Sequence, residues 1–324
     1  MNITIKDDFD LKKISESGEA FRIKEFPEET FRFVTGNNIL YIKKIGDDEY
    51  DVAPYVCDFK QSSEFHAVSR NLRDFTAKNA DSHEPAKSNV PLNLKSVISA
   101  GSAWETVWSR YFDLKRNYRE IRESVPAHDA FMSKAAACAS GIRILKQDPF
   151  ETLISFIISQ RKSIPAIKNS IELICRAFGT PVTTPYETLY LFPSADDFQN
   201  SDLYHSARFT EILNSCKLGY RTEYVADGVT KVVKNKLNLN KISALSDEDL
   251  FTTLKSVKGV GNKVAACVLL FAYGRTAFAP VDTWISKIIA QKYNGQNPFP
   301  EYKENAGIMQ QYAFYYALKN KGEF

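Results

Sequence analysis

The chain has 324 residues, 44% of them apolar, so it can bury a sizeable core, and two domains are expected rather than one. Its formal net charge is only +3, which does not by itself single out a nucleic-acid binder, although a local basic surface remains compatible with it. No stretch is apolar enough to span a bilayer, and the five scattered cysteines argue against a complete disulfide framework, which favours a reducing, intracellular compartment.

The N-terminal part has β character. Residues 31–35 and 39–45 are rich in aromatic and β-branched side chains, and they flank Gly36-Asn37-Asn38. This pattern predicts a β-hairpin, to which Tyr50-Asp51-Val52 could add a further strand. An antiparallel sheet is therefore expected in this part.

The first eight residues are charged and lack the apolar core of a signal peptide.

A change of composition separates this predicted sheet from the helical patterns later in the chain. From Lys60 to Ser102 the sequence is polar and weakly patterned, which predicts an insertion with a mobile tip. Helical spacing then resumes with Trp104, Trp108 and Phe112 at four-residue intervals. This stripe favours a helix packed on a core over a platform for stacking bases.

These changes suggest two domains. Residues 1–122 are expected to form the antiparallel-sheet domain, which carries the insertion at about 60–102, and residues 123–324 a helical domain. Within the second domain, Asp148 as N-cap and Pro149 at the first helical position predict the start of an apolar helix.

A glycine-rich turn between two helical patterns is the most specific local signal. Gly259 and Gly261 flank Val260, and because glycine adopts positive φ at little cost, the chain can reverse tightly here. The next helix starts near Asn262, where free N–H groups and the helix dipole could hold a phosphate oxygen without reading sequence. An ordinary corner between two helices is the simpler interpretation of a bare Gly-x-Gly.

Two reactive side chains come after this turn. Lys263 lies in the first turn of the second helix, where partial burial beside Val264 and Cys267, or the positive helix end, would favour the neutral, nucleophilic amine. Asp282 comes shortly after Pro280 at a second helix start, where the residue types predict an N-cap. Capping does not exclude a catalytic role.

Together these residues resemble the helix-hairpin-helix and Gly/Pro-Asp signature of the base-excision DNA glycosylase superfamily. More narrowly, the chain resembles a bacterial-type variant of the 8-oxoguanine DNA glycosylases. The resemblance implies an α+β fold, with an N-terminal antiparallel sheet like that of the TATA-binding protein followed by an all-α helix-hairpin-helix domain. It also implies that Lys263 attacks the sugar C1′ as the damaged base leaves, and that Asp282 is the carboxylate that assists it.

The resemblance extends to a base-recognition segment near the N-terminus. Ser17 to Arg22, Ser-Gly-Glu-Ala-Phe-Arg, is similar to the family's Gly-Gln-Ser/Ala-Phe-Arg-Trp. The family's glycine carbonyl accepts a hydrogen bond from the N7–H that oxidised guanine has and normal guanine lacks. Gly18 is thereby implied to discriminate the lesion, because guanine would place an acceptor against an acceptor. A plain turn glycine is the alternative.

A C-terminal segment is implied to complete the base pocket. Gln310 would bond the Watson–Crick edge and Phe314 would stack on the flipped base opposite Cys267. Four residues separate the first two, so both can face one pocket from one helix. Pro280 is expected at the same pocket, and Gln311 is the alternative alignment for the glutamine.

Three further residues are implied to contact DNA. Where the animal enzymes have an asparagine that fills the hole left by the extruded base, this chain has Arg161, which could fill the gap or contact a phosphate. Gly219-Tyr220-Arg221 is similar to the segment in which the family wedges a tyrosine beside the lesion and points an arginine at the opposite base. A buried tyrosine with a surface arginine is the alternative.

Neither a cofactor nor a bound metal is expected. The endonuclease III branch of the superfamily holds an iron–sulfur cluster on cysteines after the catalytic aspartate, and here no cysteine follows Cys267, so no cluster is expected. A monovalent cation could bind the hairpin carbonyls. The expected partner is double-stranded DNA containing oxidised guanine, bound by a monomer. We expect a cytoplasmic protein without membrane contact, associated with the nucleoid if the source is bacterial.

The predicted function is that of a bifunctional DNA glycosylase/AP lyase, which flips and excises 8-oxoguanine through a Schiff base and then catalyses β-elimination. One alternative is a monofunctional alkylated-base glycosylase, which needs Asp282 but not the lysine. Another is a non-catalytic helix-hairpin-helix DNA-binding protein. Lys263 in register with Asp282 favours the bifunctional enzyme.

Overall fold

The computed structural model of the protein describes residues 1–57, 92–93 and 100–323. The insertion predicted at 60–102 therefore lies outside the described residues, apart from Leu92–Asn93 and its last three positions. Within the described ranges, no helix combines the length and the apolar character needed to cross a membrane.

An antiparallel sheet forms the N-terminal part, as predicted. Its strands are β1 (Asn2–Thr4), β2 (Lys24–Phe26), β3 (Thr30–Thr35), β4 (Asn38–Lys44) and β5 (Glu49–Val56), and helix α1 (Leu11–Glu16) lies between the first two. The spatial order is β1-β5-β4-β3-β2. The predicted hairpin is confirmed, because Thr35 pairs with Asn38 across the Gly36-Asn37 turn.

The aromatic stripe after the insertion packs against this sheet. Helix α2 (Ala100–Ala103) continues through a π-helical turn, Trp104–Trp108, into helix α3 (Ser109–Tyr111). Trp104, Trp108 and Phe112 are all buried, and the Phe112 ring lies 5.0 Å from that of Phe33 on β3. The predicted core stripe is confirmed.

The remainder of the described chain is mainly helical. Its helices are α4 (Tyr118–Glu123), α5 (Ala130–Cys138), α6 (Pro149–Ser159), α7 (Ile164–Phe178), α8 (Ala195–Gln199), α9 (Asp202–His205), α10 (Phe209–Ser215), α11 (Thr222–Val233), α12 (Asp247–Lys255), α13 (Asn262–Phe271), α14 (Thr283–Lys292) and α15 (Ala306–Lys319), with 3-10 turns at Gly219–Arg221, Lys241–Ala244 and Phe299–Asn305. Asp148 caps α6 as predicted, since its Oδ1 accepts hydrogen bonds from the Phe150 and Glu151 amides, both at 2.9 Å.

A small second sheet was not predicted. Strands β7 (Pro181–Thr183) and β8 (Thr188–Tyr190) pair antiparallel, and β6 (Leu92–Asn93) joins β7 in parallel. Strands of two or three residues are too short to show alternation in the sequence. This sheet shares a buried cluster with Val34, Ile39 and Tyr41 of the large sheet, so the two parts of the chain pack directly.

Arg143 stabilises the junction between the two parts. Its side chain is fully buried and uses its guanidinium donors on nearby backbone and on one carboxylate. The acceptors are the carbonyls of Asp8, Phe112, Asp113 and Arg116 and the carboxylate of Asp7, at 2.7 to 2.9 Å. Tyr118 and Ile121 of α4 belong to the helical core although they precede residue 123. The exact domain boundary stays a prediction.

Candidate functional site

The predicted hairpin joins α12 to α13 through the Ser256–Gly261 turn. Gly259 has φ +80°, and a Cβ there would lie 2.3 Å from Cδ2 of Tyr224, so both backbone and space require glycine. Gly261 has φ −93°, so the argument from positive φ is wrong at this position. A Cβ on Gly261 would meet no atom within 4 Å, which leaves its exposed backbone open to approach by a ligand.

The hairpin presents backbone rather than side chains. Gly261 is the N-cap of α13 and has no side chain to accept a hydrogen bond. The first N–H groups of the helix therefore remain available as donors to an external acceptor. Val260 is 6% exposed and packs into the helical core. Its predicted DNA contact can therefore involve the backbone but not the side chain.

Lys263 lies in the first turn of α13 above an aromatic ring. Its Nζ is 5.1 Å from the centroid of Phe156, which stacks on Phe271 at 5.4 Å. Cys267 follows one helical turn later and is buried. Burial raises the pKa of the Cys267 thiol, although the charge of Lys263 and a hydrogen bond with it act in the opposite direction. A neutral thiol is therefore expected beside the lysine.

Asp282 caps α14, as predicted. Its Oδ1 accepts a hydrogen bond from the Ile285 amide at 2.9 Å, and within the described residues its second oxygen receives none. Its negative charge also raises the pKa of the Cys267 thiol. No ion pair within 4.0 Å links Lys263 to Asp282 in the part of the chain that the structure describes. The amine is thus not held by the carboxylate.

The two ends of the chain meet at the predicted base pocket. Gly18 has φ +78°, and a Cβ there would lie 3.0 Å from Cε1 of Phe314 and 3.4 Å from Cδ1 of Ile164. A larger residue at Gly18 would therefore be strained and would press on the Phe314 ring. Pro280 is buried just before Asp282. The structure brings Gly18 and Phe314 into contact, while their roles toward a base stay predictions.

The two adjacent glutamines of α15 have different surroundings. Gln311 donates from Nε2 to the Ser17 carbonyl at 2.8 Å, so it supports the segment that carries Gly18. Gln310 is 4% exposed, and its Oε1 has no hydrogen-bond partner among the described residues. A buried unpaired acceptor is costly, and the N–H groups of a base edge could satisfy it. Of the two, Gln310 is the one left free for a ligand.

Tyr220 is exposed and Arg221 is buried, the opposite of the alternative expected from the sequence. Tyr220 is 53% exposed, whereas Arg221 is only 7% exposed, so the expectation of a buried tyrosine with a surface arginine is wrong. An exposed aromatic ring at a tight turn suits a wedge between base steps. The Arg221 guanidinium is bonded to backbone carbonyls, so this conformation does not aim it at a base, and its direct contact stays a prediction. Arg161 lies exposed two residues after the end of α6.

Sequence reasoning missed several supporting residues. Phe156 lies under Lys263. Gln160 donates from Nε2 to the Gly259 carbonyl at 3.2 Å and so connects α6 to the hairpin. Tyr224 lies against Gly259 and contacts the Tyr220 ring at 5.9 Å. Sequence spacing carries no signal for the contacts of Phe156 with Lys263 or of Gln160 and Tyr224 with Gly259, because these partners come from distant segments.

Among the described residues, no group of three or more His, Cys, Asp or Glu side chains could hold a metal ion. All five cysteines are free thiols. The predicted lack of a cofactor and the monovalent cation at the hairpin stay expectations.

Comparison with known proteins gives consistent matches. The family described as 8-oxoguanine DNA glycosylase, N-terminal domain, matches residues 2–153. A probable N-glycosylase/DNA lyase of Methanothermobacter thermautotrophicus is 30% identical over an alignment of 231 residues, and the match covers 64% of this chain and 73% of that protein.

Two solved structures match almost the whole chain. MBOgg1 in complex with a low-affinity DNA ligand has a TM-score of 0.77 at 28% identity, and the match covers 99% of this chain and 96% of that one. The 8-oxoguanine glycosylase/lyase of Clostridium acetobutylicum, bound to double-stranded DNA with cytosine opposite 8-oxoG, has a TM-score of 0.74 at 27% identity and covers 99% and 98%. The predicted α+β fold, a sheet domain followed by a helical domain, is confirmed.

Proposed function

The chain belongs to the N-glycosylase/DNA lyase family of 8-oxoguanine glycosylases, and from this premise we propose that it excises 8-oxoguanine from duplex DNA and then cleaves the strand. The proposed activity is bifunctional, with base removal and lyase chemistry at one lysine. The proposed partner is double-stranded DNA containing oxidised guanine, as in the complex solved for the clostridial relative.

One observation carries this proposal. Lys263 lies in the first turn of α13 with its Nζ over the Phe156 ring, and Asp282 caps α14, yet no ion pair joins the two within the described residues. An amine that is held at a helix start and is not neutralised in an ion pair can attack an electrophile, and an unpaired carboxylate can stabilise positive charge. A purely structural pair would be expected to form the ion pair.

The proposed reaction begins with binding and base extrusion. Hairpin amides beside Gly261 hold a phosphate, and Tyr220 wedges into the stack. The oxidised guanine enters a pocket bounded by Gly18, Gln310 and Phe314. The Gly18 carbonyl accepts a hydrogen bond from the lesion's N7–H, while the unpaired Gln310 Oε1 accepts one from the Watson–Crick edge.

The covalent steps take place at Lys263. Its neutral amine forms a bond to C1′ as the C1′–N9 bond breaks, and the departing base takes up a proton. Asp282 stays ionised and stabilises the positive charge that develops on the sugar. Ring opening gives a Schiff base between Lys263 and C1′. Loss of a C2′ proton then expels the 3′ phosphate by β-elimination, and water releases the lysine.

Borohydride trapping tests this proposal. The protein and its Lys263→Gln variant are incubated with a duplex containing 8-oxoguanine opposite cytosine, in the presence of borohydride. Lys255→Gln serves as a matched control, because Lys255 lies exposed at the end of α12, over the Phe251 ring, and its amine has no hydrogen bond or ion pair among the described residues. We expect the wild type and the control to form a covalent protein–DNA adduct and Lys263→Gln to form none.

Other outcomes separate the alternatives. Base release without trapping would indicate a monofunctional glycosylase and would refute the role of Lys263. Binding with neither reaction would indicate a non-catalytic DNA-binding protein. We also propose that the protein acts as a monomer without a cofactor in the cytoplasm, which sedimentation, metal analysis and localisation of a tagged chain would test.

A further inference from the structure

Three consecutive carbonyls near the N-terminus, those of Ser17, Gly18 and Glu19, have different surroundings. These three residues are called the reading segment below. The Ser17 carbonyl accepts a hydrogen bond from Nε2 of Gln311 at 2.8 Å, and the Glu19 carbonyl accepts one from Nε2 of Gln147 at 3.1 Å. The Gly18 carbonyl between them accepts no hydrogen bond from the residues that the structure describes. The segment therefore offers one free acceptor with a bonded carbonyl on each side.

The burial of the reading segment follows the same pattern. Ser17 is fully buried and Glu19 is 1% exposed, whereas Gly18 is only half-buried. A buried carbonyl needs a donor inside the protein, and the two glutamines supply these donors. The carbonyl that lacks a donor belongs to the one residue of the three that a ligand can reach.

The backbone of Gly18 cannot by itself keep this carbonyl in one direction. Gly18 has φ +78°, and glycine rotates more freely than any other residue. The two glutamine bonds hold the peptide groups before and after the Gly18–Glu19 peptide. With those groups held, turning the Gly18 carbonyl away would bring Glu19, which is not at positive φ, into that region. The Cβ of Glu19 disfavours such a rotation.

Both glutamines belong to segments that carry or contact the rest of the site. Gln311 directly follows Gln310 on α15, the residue whose buried Oε1 is unpaired among the described residues. The backbone N–H of Gln147 donates to the Phe271 carbonyl at 2.7 Å. Phe271 ends α13, the helix that carries Lys263 in its first turn. The reading segment is thus fixed relative to both helices.

The direction of the Gly18 carbonyl matters because one contact has to separate two similar bases. Oxidised guanine places an N–H at position 7, whereas guanine places an acceptor there. A hydrogen bond weakens steeply when its distance or angle departs from the optimum. A carbonyl that moved away would lose its attraction to the lesion and its repulsion of guanine together.

We propose that Gln311 and Gln147 are positioning residues, which aim the Gly18 carbonyl at the N7–H of oxidised guanine and so set the discrimination against guanine. Neither glutamine contacts the base. A neutral amide suits this task, because it donates a hydrogen bond without placing a charge in the interior. This inference rests on the proposed function, since the carbonyl has a base to read only when an oxidised guanine enters the pocket.

Two reactions of the same protein test the inference. The variants are Gln311→Met, Gln147→Met and the double variant, because methionine keeps the length of the side chain and removes the Nε2 donor. Gln296→Met is the matched control, since Gln296 is exposed and its side chain has no hydrogen bond among the described residues. Release of 8-oxoguanine opposite cytosine is compared with borohydride trapping at a preformed abasic site opposite cytosine. Only the first reaction involves a base.

A binding measurement reports the discrimination directly. Each substitution is placed in a Lys263→Gln background, which prevents reaction. Affinities are measured at one fixed salt concentration for duplexes with 8-oxoguanine or 8-bromoguanine opposite cytosine. Both bases carry a substituent at C8, but only 8-oxoguanine has an N–H at position 7. The ratio of the two affinities reports reading at that position, and phosphate binding cancels from it.

The inference predicts a selective loss. Each single substitution should lower the rate of 8-oxoguanine release and the affinity ratio by roughly tenfold, as expected for one weakened hydrogen bond. The double variant should lose more, because each glutamine holds a different carbonyl. Trapping at the abasic site should stay at the wild-type level, and the control should match wild type throughout. If buried Gln311→Met does not fold, as judged by circular dichroism, Gln147→Met at a half-buried position carries the test.

Three results would overturn the inference. Equal losses of base release and of abasic-site trapping would mean that the glutamines support the whole active site. Wild-type base release by the double variant would mean that the two bonds only satisfy buried carbonyls. Slower release with an unchanged affinity ratio would mean that position 7 is not what the glutamines help to read. Failure of the proposed function is recognised separately, because the wild type would then release no 8-oxoguanine.

Discussion

Adding one methyl group to each glycine of the hairpin should have very unequal effects on stability. At Gly259, alanine must adopt φ +80°, which costs about 1–2 kcal/mol for a residue with a Cβ. The new Cβ would also lie 2.3 Å from Cδ2 and 2.4 Å from Cγ of Tyr224, far inside the normal contact distance of about 3.5 Å. Displacing the ring should cost about 1–3 kcal/mol. The expected loss in the free energy of unfolding is therefore about 2–5 kcal/mol.

Gly261→Ala is the matched comparison. Its φ of −93° suits alanine, and no atom lies within 4 Å of the added Cβ, so stability should change by less than about 0.5 kcal/mol. Both substitutions should weaken DNA binding, but for different reasons. Alanine at Gly259 displaces Tyr224 and hence Tyr220, whereas alanine at Gly261 obstructs a phosphate that approaches the exposed amides.

Urea denaturation and DNA binding at fixed salt measure the two effects. In a Tyr224→Ala background, the steric part of the Gly259→Ala loss should vanish and about 1–2 kcal/mol should remain for the backbone. Equal stability of Gly259→Ala and wild type would refute the reasoning about φ and contact. A Gly261→Ala protein that binds DNA as tightly as wild type would refute the phosphate site.

Three further predictions concern the site and the core. Asp282→Asn should keep the cap on the Ile285 amide and thus stability, yet reduce excision by about 10²-fold or more, whereas Asp282→Ala should also lose about 1 kcal/mol of stability. Arg143→Lys should lower the free energy of unfolding by about 3–5 kcal/mol in urea, because buried acceptors lose their donors. Burial raises the pKa of Glu19 well above its ordinary 4.5. Above pH 4.5 the folded state therefore keeps a proton that the unfolded chain has released. Over that range the free energy of unfolding falls by ~1.4 kcal/mol per pH unit. The glutamine of Glu19→Gln does not titrate. The melting temperature of this variant, relative to that of wild type, should therefore be higher at about pH 8 than at about pH 5.

Each of these has a result that would contradict it. Normal excision by a stable Asp282→Asn protein would mean that the Asp282 carboxylate only caps α14 and has no role in excision. A loss below about 1 kcal/mol for Arg143→Lys would mean that water or a rearranged backbone replaces the guanidinium. For Glu19→Gln, a melting-temperature difference from wild type that is the same at both pH values would show that burial does not shift the carboxyl's pKa.

The sequence by itself determined the features that depend on neighbouring residues. The hairpin between β3 and β4, the Asp148 cap and the Asp282 cap are all set by interactions within a few positions along the chain. Turn and capping preferences act at that range, so the residue pattern was sufficient. The residue pattern also placed Lys263 at a helix start, but the chemistry expected of it came from a family resemblance.

Only the tertiary structure decided which side chains are free and which are engaged. It buries Arg221 and exposes Tyr220, and it assigns Gln311 to the Ser17 carbonyl while leaving the Gln310 oxygen unpaired among the described residues. These outcomes depend on partners that lie far away along the chain. Burial and hydrogen-bond choice are set by packing between distant segments, and residue spacing along one helix cannot report which neighbour will face it.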